Sequence, residues 1–240
     1  MAQRLALVHT VGSLEPVFAS LARELLPDAE MVHVVDETLL KDAIREGGLT
    51  PEIRDRLRAH VADLAPAADA ILVTCSSMGP AVEIARDETA IPVLRVDEPM
   101  ADEAVRLGRR IGVLATLSTT LEPTADLVRR RAVAAGRGDT EVVPRVVEGA
   151  FDALSRGDRA EHDRLVGDAL IELGANVDVV VLAQASMARV ADALPPGTLR
   201  VPVLSSPRSG MERLAAVVHG LRTSAEAKTT DGPQPTDVNR

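Results

Sequence analysis

The segment DAILVTCSSM at residues 69–78 returns later in the chain as DVVVLAQASM at residues 178–187. Each copy is a short apolar run that ends in small polar residues, a pattern typical of a buried parallel strand that leads into a helix. Four other pairs recur in the same order at similar offsets: RLALVHT from Arg4 with RIGVLAT from Arg110, LEP from Leu14 and Leu121, DAIREG from Asp42 with DALSRG from Asp152, and IPVL from Ile91 with VPVL from Val201. This ordered set indicates an internal duplication.

The duplication predicts an α/β fold of two tandem Rossmann-like halves, with parallel sheets related by a pseudo-twofold axis. The first half is expected over residues 1–104, with the Cys75 loop at a strand end, and the second over 105–222, with the LAQASM loop. The polar segment 223–240 is expected to be a disordered tail, and the C-terminal end of the second half is a candidate to pack on the first. Because open α/β sheets bind ligands beyond the carboxyl ends of their strands, the two loops are expected to meet in one cleft.

Composition narrows the function classes. The net charge of −9 disfavours nucleic acid, and Phe18 and Phe151 are the only aromatic residues of these 240 that could stack on bases. The only lysines are Lys41, in a helical stretch, and Lys228, in the polar tail, so a Schiff-base lysine is hard to assign. A single cysteine fits a reducing compartment, and no apolar stretch is long enough to span a membrane. We therefore expect a cytoplasmic protein, and its high Arg and low Lys content suggests a bacterial source.

Cys75 is the candidate catalytic residue. It stands between a predicted strand and a predicted helix start, where backbone N–H groups stabilise a thiolate and are expected to lower the thiol pKa. Ser76 and Ser77 follow it, and their N–H groups could hold a carboxylate or enolate oxygen. The alternative is that Cys75 is a small buried apolar residue, as free cysteines often are.

Four segments together resemble the aspartate/glutamate/hydantoin racemase superfamily: VTCSSMG from Val73, GVLATLST from Gly112, VVLAQASM from Val180 and VPVLSSPRSG from Val201. The resemblance extends to about residue 222. It implies two Rossmann-like halves, a small carboxylate substrate, no cofactor and a homo-oligomer of two or more chains. It also implies these substrate-binding residues: Thr10, Ser76, Ser77, Thr116, Ser118, Thr119, Gln184, Ala185 and Ser186. An alternative role for Ser118 and Thr119 is to cap a helix.

The sequence departs from the racemases of this superfamily, which use two cysteines, one in each half. Gln184 occupies the position equivalent to Cys75, and an amide does not titrate near neutral pH. Three alternatives remain open. Cys75 could be a single acid/base, as in the related arylmalonate decarboxylases, or a nucleophile, as in maleate isomerases. Otherwise Ser186 or His9 could replace the missing thiol as the second acid/base.

Other charged residues have more ordinary explanations. Asp97 and Glu98 are expected to cap a helix, Arg208 to form an ion pair in preference to binding a carboxylate, and His162 with Asp163 to lie on a solvated helix face. No histidine shows metal-ligand spacing. The sequence thus predicts a cofactor-independent racemase- or isomerase-like enzyme acting on a small carboxylic acid, of the amino acid or dicarboxylate class. The alternatives are a decarboxylase or other lyase of the same superfamily and a non-catalytic protein that binds small acids.

Overall fold

The structure, a computed structural model, describes residues 2–230 of the chain, with side chains as far as residue 221. The first half contains β1 (Arg4–His9), α1 (Glu15–Leu25), β2 (Glu30–Val35), α2 (Glu37–Arg45), α3 (Pro51–Leu64), β3 (Ala70–Val73), α4 (Gly79–Asp87), β4 (Val93–Arg95) and α5 (Glu98–Leu107). The second contains β5 (Arg110–Ala115), α6 (Ser118–Ala134), β6 (Glu141–Val146), α7 (Ala150–Ser155), α8 (Arg159–Gly174), β7 (Val179–Leu182), α9 (Ala188–Ala193), β8 (Val203–Leu204) and α10 (Ser206–Thr230). The order of strands and helices is the same in both halves.

Each half is built around a four-stranded parallel sheet. The strand orders are β2-β1-β3-β4 and β6-β5-β7-β8, so every strand has an equivalent in the other half. The registers match as well: Val8 pairs with Val73 in the first sheet, and its equivalent Leu114 pairs with Leu182 in the second. The predicted α/β fold of two Rossmann-like halves is confirmed.

The central strands are covered by helices on both faces, as expected for continuous apolar strands. All four residues of β3 and all four of β7 are buried. Their side chains alternate between two aliphatic clusters in each half. With so few aromatic residues, these cores consist almost entirely of Ala, Val, Leu, Ile and Met.

The last helix of each half packs on the other half. Met100 and Ala104 of α5 join the core of the second sheet, whereas Met211 and Leu214 of α10 join Leu5 and Leu72 in the core of the first. The boundary that the sequence suggested, between residues 104 and 105, therefore lies inside α5. This exchange fixes the two sheets relative to each other and brings the carboxyl ends of their strands together.

The polar tail differs in part from the sequence prediction. Helix α10 continues to Thr230, so the segment expected to be disordered from residue 223 begins as helix. Residues 225–228 (AEAK) are good helix formers, which explains the continuation. Residues 231–240, the remainder of the predicted tail, lie outside the described residues.

Two side chains, one predicted to cap a helix and one predicted to lie on a solvated helix face, are buried. Asp97 is completely buried and does not cap α5; it receives two hydrogen bonds from Arg95, at 3.0 Å from Nε and 2.9 Å from Nη2. His162 is also buried, with Nδ1 3.0 Å from the carbonyl oxygen of Ala150. The capping prediction for Asp97 and the surface prediction for His162 were wrong because both side chains face inward from their helix starts. No helix in the described part of the chain is long and apolar enough to cross a membrane.

Candidate functional site

A cavity of about 140 Å³ lies where the carboxyl ends of the two sheets face each other. Strand β3 ends just before Cys75 and a 3₁₀ turn over Ser76–Met78, and β7 ends before Gln184 and an equivalent turn over Ala185–Met187. Both halves contribute to the lining, which consists of Val11, Ser13, Leu14, Leu40, Thr74, Cys75, Ser76, Ser77, Thr120, Leu154, Ala183, Gln184, Ala185, Ser186 and Ser206. Its size is close to the ~150 Å³ cavity that holds benzene in another protein, so a small acid fits.

Cys75 reaches this cavity and is surrounded by hydrogen-bond donors. The side chain is partly buried, and its sulfur receives hydrogen bonds from the hydroxyls of Thr10 and Ser77 and from the backbone N–H groups of Met78 and Ser77. Burial nevertheless raises the pKa of the thiol, and the donors offset this only in part. The prediction of a lowered pKa was therefore wrong in direction: at neutral pH the resting group is the thiol, with donors in place for a thiolate.

Gln184 stands at the equivalent position of the second half and is held by Thr116. The backbone N–H of Thr116 donates to Oε1 at 2.6 Å, and its hydroxyl lies 3.1 Å from the same oxygen. A backbone N–H can only donate, so the atom facing it must be the carbonyl oxygen, which fixes the orientation of the amide. Because Thr116 holds Oε1, the Nε2 group is the part of this amide that remains for the cavity, which Gln184 lines.

A direct hydrogen bond joins the two halves beside the sulfur. The hydroxyls of Ser77, in the first turn, and Thr120, in α6, are 2.9 Å apart and both side chains are buried. Because Ser77 lies only two residues after Cys75, this hydrogen bond couples the Cys75 loop to the second half. Any relative movement of the halves would therefore disturb the loop.

The remaining predicted binding residues fall into three groups. Ser76, Ser77, Ala185 and Ser186 line the cavity with Cys75 and Gln184. Thr10 and Thr116 lie behind them and contact the sulfur and the amide. Ser118 is exposed and Thr119 is half-buried, and neither lines the cavity.

The capping role proposed for Ser118 and Thr119 is also absent, because the start of α6 shows no side-chain cap. The hydroxyl oxygen of Thr119 is buried without a hydrogen-bond partner among the described residues.

His9 is not brought to the cavity. Its ring is completely buried, with Nε2 2.9 Å from Nδ1 of His33 and Nδ1 2.9 Å from the hydroxyl of Thr74. Burial lowers the pKa of His9 to about 4, and the nearby His33 adds to this effect. His9 therefore supports Thr74, which does line the cavity, and does not face the sulfur directly.

Several lining residues were not singled out as binding residues. Thr74 directly follows β3, Thr120 lies in the first turn of α6, and Ser206 begins α10. The apolar wall comes from Val11, Leu14, Leu40 and Leu154, which lie in three segments: the connection between β1 and α1, helix α2 and helix α7. The duplication offered a signal for Ser206, since it follows β8 at the same edge of the second sheet.

Arg208 does not line the cavity. Its guanidinium forms two hydrogen bonds with the carboxylate of Glu24, at 2.9 and 2.8 Å, which agrees with the expected ion pair. No cluster of three or more His, Cys, Asp or Glu side chains that could hold a metal ion occurs within the described part of the chain.

The chain is similar to known proteins along most of its length. The sequence pattern of the family described as Asp/Glu/Hydantoin racemase matches residues 10–214. An uncharacterized protein from Schizosaccharomyces pombe is 25% identical over 209 residues, covering 82% of this chain and 80% of the relative.

Two solved structures share the fold. Glutamate racemase isoform RacE1 from Bacillus anthracis superposes with a TM-score of 0.67 at 17% identity, over 91% of this chain and 82% of that one. Allantoin racemase from Klebsiella pneumoniae gives a TM-score of 0.59 at 17% identity, over 92% and 89%.

Proposed function

The chain belongs to the Asp/Glu/hydantoin racemase family. We propose that it is a racemase- or isomerase-like enzyme that acts on a small carboxylic acid without a cofactor, with Cys75 as its reactive group. One observation carries the proposal: the sulfur of Cys75 lines a cavity between the halves and is surrounded by donors that stabilise negative charge. Those donors suit both a thiolate and an adjacent enolate oxygen.

In a proton-transfer reaction, Cys75 loses its proton to solvent and the thiolate then removes a proton from the carbon beside the carboxylate. The C–H electron pair passes to the carboxylate as an enolate, and the backbone N–H groups of the two loop turns hold the developing charge. The thiol returns the proton to the carbon. Isomerisation follows if the proton returns to a different carbon of a conjugated acid.

In a covalent reaction, the thiolate adds to one carbon of a C=C bond beside the carboxylate. The new C–S bond forms as the π electrons move to the carboxylate, and the former double bond becomes a rotatable single bond. After rotation the electrons return, the double bond reforms and the C–S bond breaks. Both schemes use one thiol and consume no co-reactant.

A decarboxylase is the second candidate, and the protonated state of Cys75 favours it. Loss of CO₂ breaks a C–C bond and leaves the electron pair on an enolate, which then needs a proton donor. A thiol whose pKa is raised by burial is such a donor, and Gln184 on the other side cannot compete because its amide does not titrate. The thiolate left behind would recover a proton from water.

The test is turnover of a panel of small acids, followed by NMR in deuterated water. Cys75→Ala is expected to lower the rate at least about a hundredfold, the usual contribution of an acid/base group, while Ser118→Ala, outside the cavity, changes little. Deuterium at the reacting carbon without loss of CO₂ indicates proton-transfer chemistry, isomerisation without deuterium indicates the covalent scheme, and release of CO₂ indicates the decarboxylase. Turnover that survives Cys75→Ala would remove the proposed role, and tight binding without any turnover would favour a non-catalytic small-acid-binding protein.

Two features of its setting belong to the same proposal. We expect the protein to act in the cytoplasm, because its single cysteine must stay reduced to react. We also expect a homo-oligomer, which size-exclusion chromatography with light scattering would detect as a mass of at least two chains.

A further inference from the structure

The cavity is rich in hydrogen-bond donors but contains no charged side chain. Its polar lining consists of Ser and Thr hydroxyls, the Cys75 thiol and the Gln184 amide. Among the described residues that line it there is no Asp, Glu, Lys, Arg or His. A charged group on a bound ligand must therefore be stabilised by neutral donors or neutral acceptors alone.

The donors suit an anionic oxygen. In the turn Ala185–Met187 the first N–H groups have no carbonyl partner inside the turn, whereas in the turn Ser76–Met78 the N–H of Ser77 already donates to the Cys75 sulfur; both turns border the cavity. Hydrogen bonds from such groups to a carboxylate are charge-assisted and about twice as strong as neutral ones. A carboxylate on the ligand is thus well accommodated.

Four of the polar side chains that line the cavity, in contrast, are already engaged in hydrogen bonds within the protein. The oxygen of the Gln184 amide accepts from both the N–H and the hydroxyl of Thr116, so the group that it leaves for the cavity is the Nε2 donor. The Ser77 and Thr120 hydroxyls bond to each other.

The Thr74 hydroxyl, the third one engaged, lies between the carbonyl oxygen of Val8, at 3.2 Å, and the ring of His9. A ligand ammonium would meet no carboxylate, and the hydroxyls left to it, those of Ser13, Ser76, Ser186 and Ser206, are neutral acceptors. Burying such a cation without a counter-charge is costly.

We propose that this site selects acids that lack an ammonium group, and that Gln184 is a specificity-determining residue because its fixed amide presents a donor where a cation would need an acceptor. This inference rests on the proposed function and narrows its substrate class. Within the small carboxylic acids, it favours those with an uncharged body over zwitterionic amino acids. The apolar side chains of Val11, Leu14, Leu40 and Leu154 provide the wall for that body.

Binding of matched ligand pairs tests the selectivity. The pairs are succinate with D- and L-aspartate, and isovalerate with D- and L-valine, which differ only by the amino group. Binding is measured by ligand-observed NMR and by competition against alkylation of Cys75. The acid without the amino group is expected to bind at least about tenfold more tightly than both enantiomers of its partner.

A charge substitution at the proposed residue is the sharper arm. In Gln184→Glu, one carboxylate oxygen can still accept from Thr116 while the other faces the cavity. We expect this variant to bind succinate at least about tenfold more weakly and to bind aspartate relatively better, which reverses the preference. Gln184→Met, of similar shape but without donor or charge, should bind succinate more weakly without gaining aspartate. Unfolding midpoints identify any variant that fails to fold, and the wild-type pairs then decide the question alone.

The outcomes separate this inference from the proposed function. If wild-type protein binds aspartate or valine as tightly as the matched acid, the selectivity is refuted while a small-acid site remains. The same holds if Gln184→Glu folds and leaves the preference unchanged. If no acid of either kind binds or protects Cys75, the proposed function fails, and the selectivity inference fails with it.

Discussion

The two halves share one fold but hold different chemical groups at equivalent positions. In the first half the hydroxyl of Thr10 contacts the sulfur of Cys75, and in the second the hydroxyl of Thr116 contacts the amide oxygen of Gln184. The duplicated threonine therefore has the same task in both halves: it orients the group at the end of the central strand. What differs is whether that group can exchange a proton.

The polar groups that support the strand ends are also confined to the first half. By strand register, His9 and His33 are replaced by Ala115 and Pro144, and Thr74 by Ala183. The first half thus carries a buried hydrogen-bonded chain behind Cys75, whereas the second is apolar behind Gln184.

The buried ion pair between Arg95 and Asp97 is also present only in the first half of the described chain. Arg95, at the end of β4, corresponds to Ser205 after β8, and Gly79 corresponds to Ala188. A Cβ on Gly79 would overlap the guanidinium of Arg95, so the glycine is required only where the arginine is present. Buried polar interactions are therefore concentrated in the half that holds the reactive loop.

The largest effect on stability is expected from breaking this ion pair. Arg95→Met leaves Asp97 as an unpaired, fully buried charge, which costs about 3–5 kcal/mol in other proteins. Urea unfolding followed by circular dichroism measures the loss, with Ser205→Ala as the control in the second half, where less than about 1 kcal/mol is expected. A small loss for Arg95→Met would mean that the pair does not hold the first half together.

The next effect concerns the pH dependence of stability. The folded protein keeps His9 neutral down to about pH 4, while the unfolded chain takes up the proton near the ordinary pKa of about 6.5. The unfolded state therefore binds more protons within this window, and stability falls as the pH decreases through it.

This loss should be about 2 kcal/mol between neutral pH and about pH 5, and most of it should vanish in His9→Gln. Unfolding measured at both pH values gives the difference, with the exposed His219→Gln as the control. An equal pH dependence in wild type and His9→Gln would contradict the assignment.

The smallest expected effect separates the two threonines. Thr10→Val removes a donor to the Cys75 sulfur and should raise the pKa of the thiol further, because one hydrogen bond that stabilises the thiolate is lost. Thr116 hydrogen-bonds to Gln184 and not to the sulfur, so Thr116→Val should leave the pKa of the thiol unchanged. The pH dependence of alkylation distinguishes them, and equal shifts would show that the halves are not independent in this respect.

The fold was predictable because its signals are local and repeated. Apolar strands such as AILV of β3 and VVVL of β7, each followed by a small-residue turn, appear in the sequence as they do in the structure. The position of Cys75 beyond β3 followed from the same pattern. The exchange of α5 and α10 between the halves is less apparent, because it depends on which apolar face packs against which sheet.

The details of the site depended on tertiary balance and were predicted less well. The pKa of Cys75 results from burial acting against donors from three residues, and the sequence indicates the donors but not the extent of burial. In the sequence Asp97 resembles a helix cap, but in the structure its carboxylate is paired with the Arg95 guanidinium. The hydrogen bonds between Thr116 and Gln184 join residues that follow the neighbouring strands β5 and β7. They depend on the rotamer of the Gln184 side chain, which neither spacing nor periodicity encodes.

The most direct test of the central claim is the alkylation of Cys75 as a function of pH. As the single cysteine of the chain, it can be followed by the mass of the intact protein without ambiguity. A thiol that lines the cavity and is kept protonated by burial should react with iodoacetamide at a rate that rises only above its ordinary pKa of about 8.5, and a bound small acid should slow the reaction. Rapid labelling that is already constant at neutral pH, or labelling that occurs only after unfolding, would contradict the account.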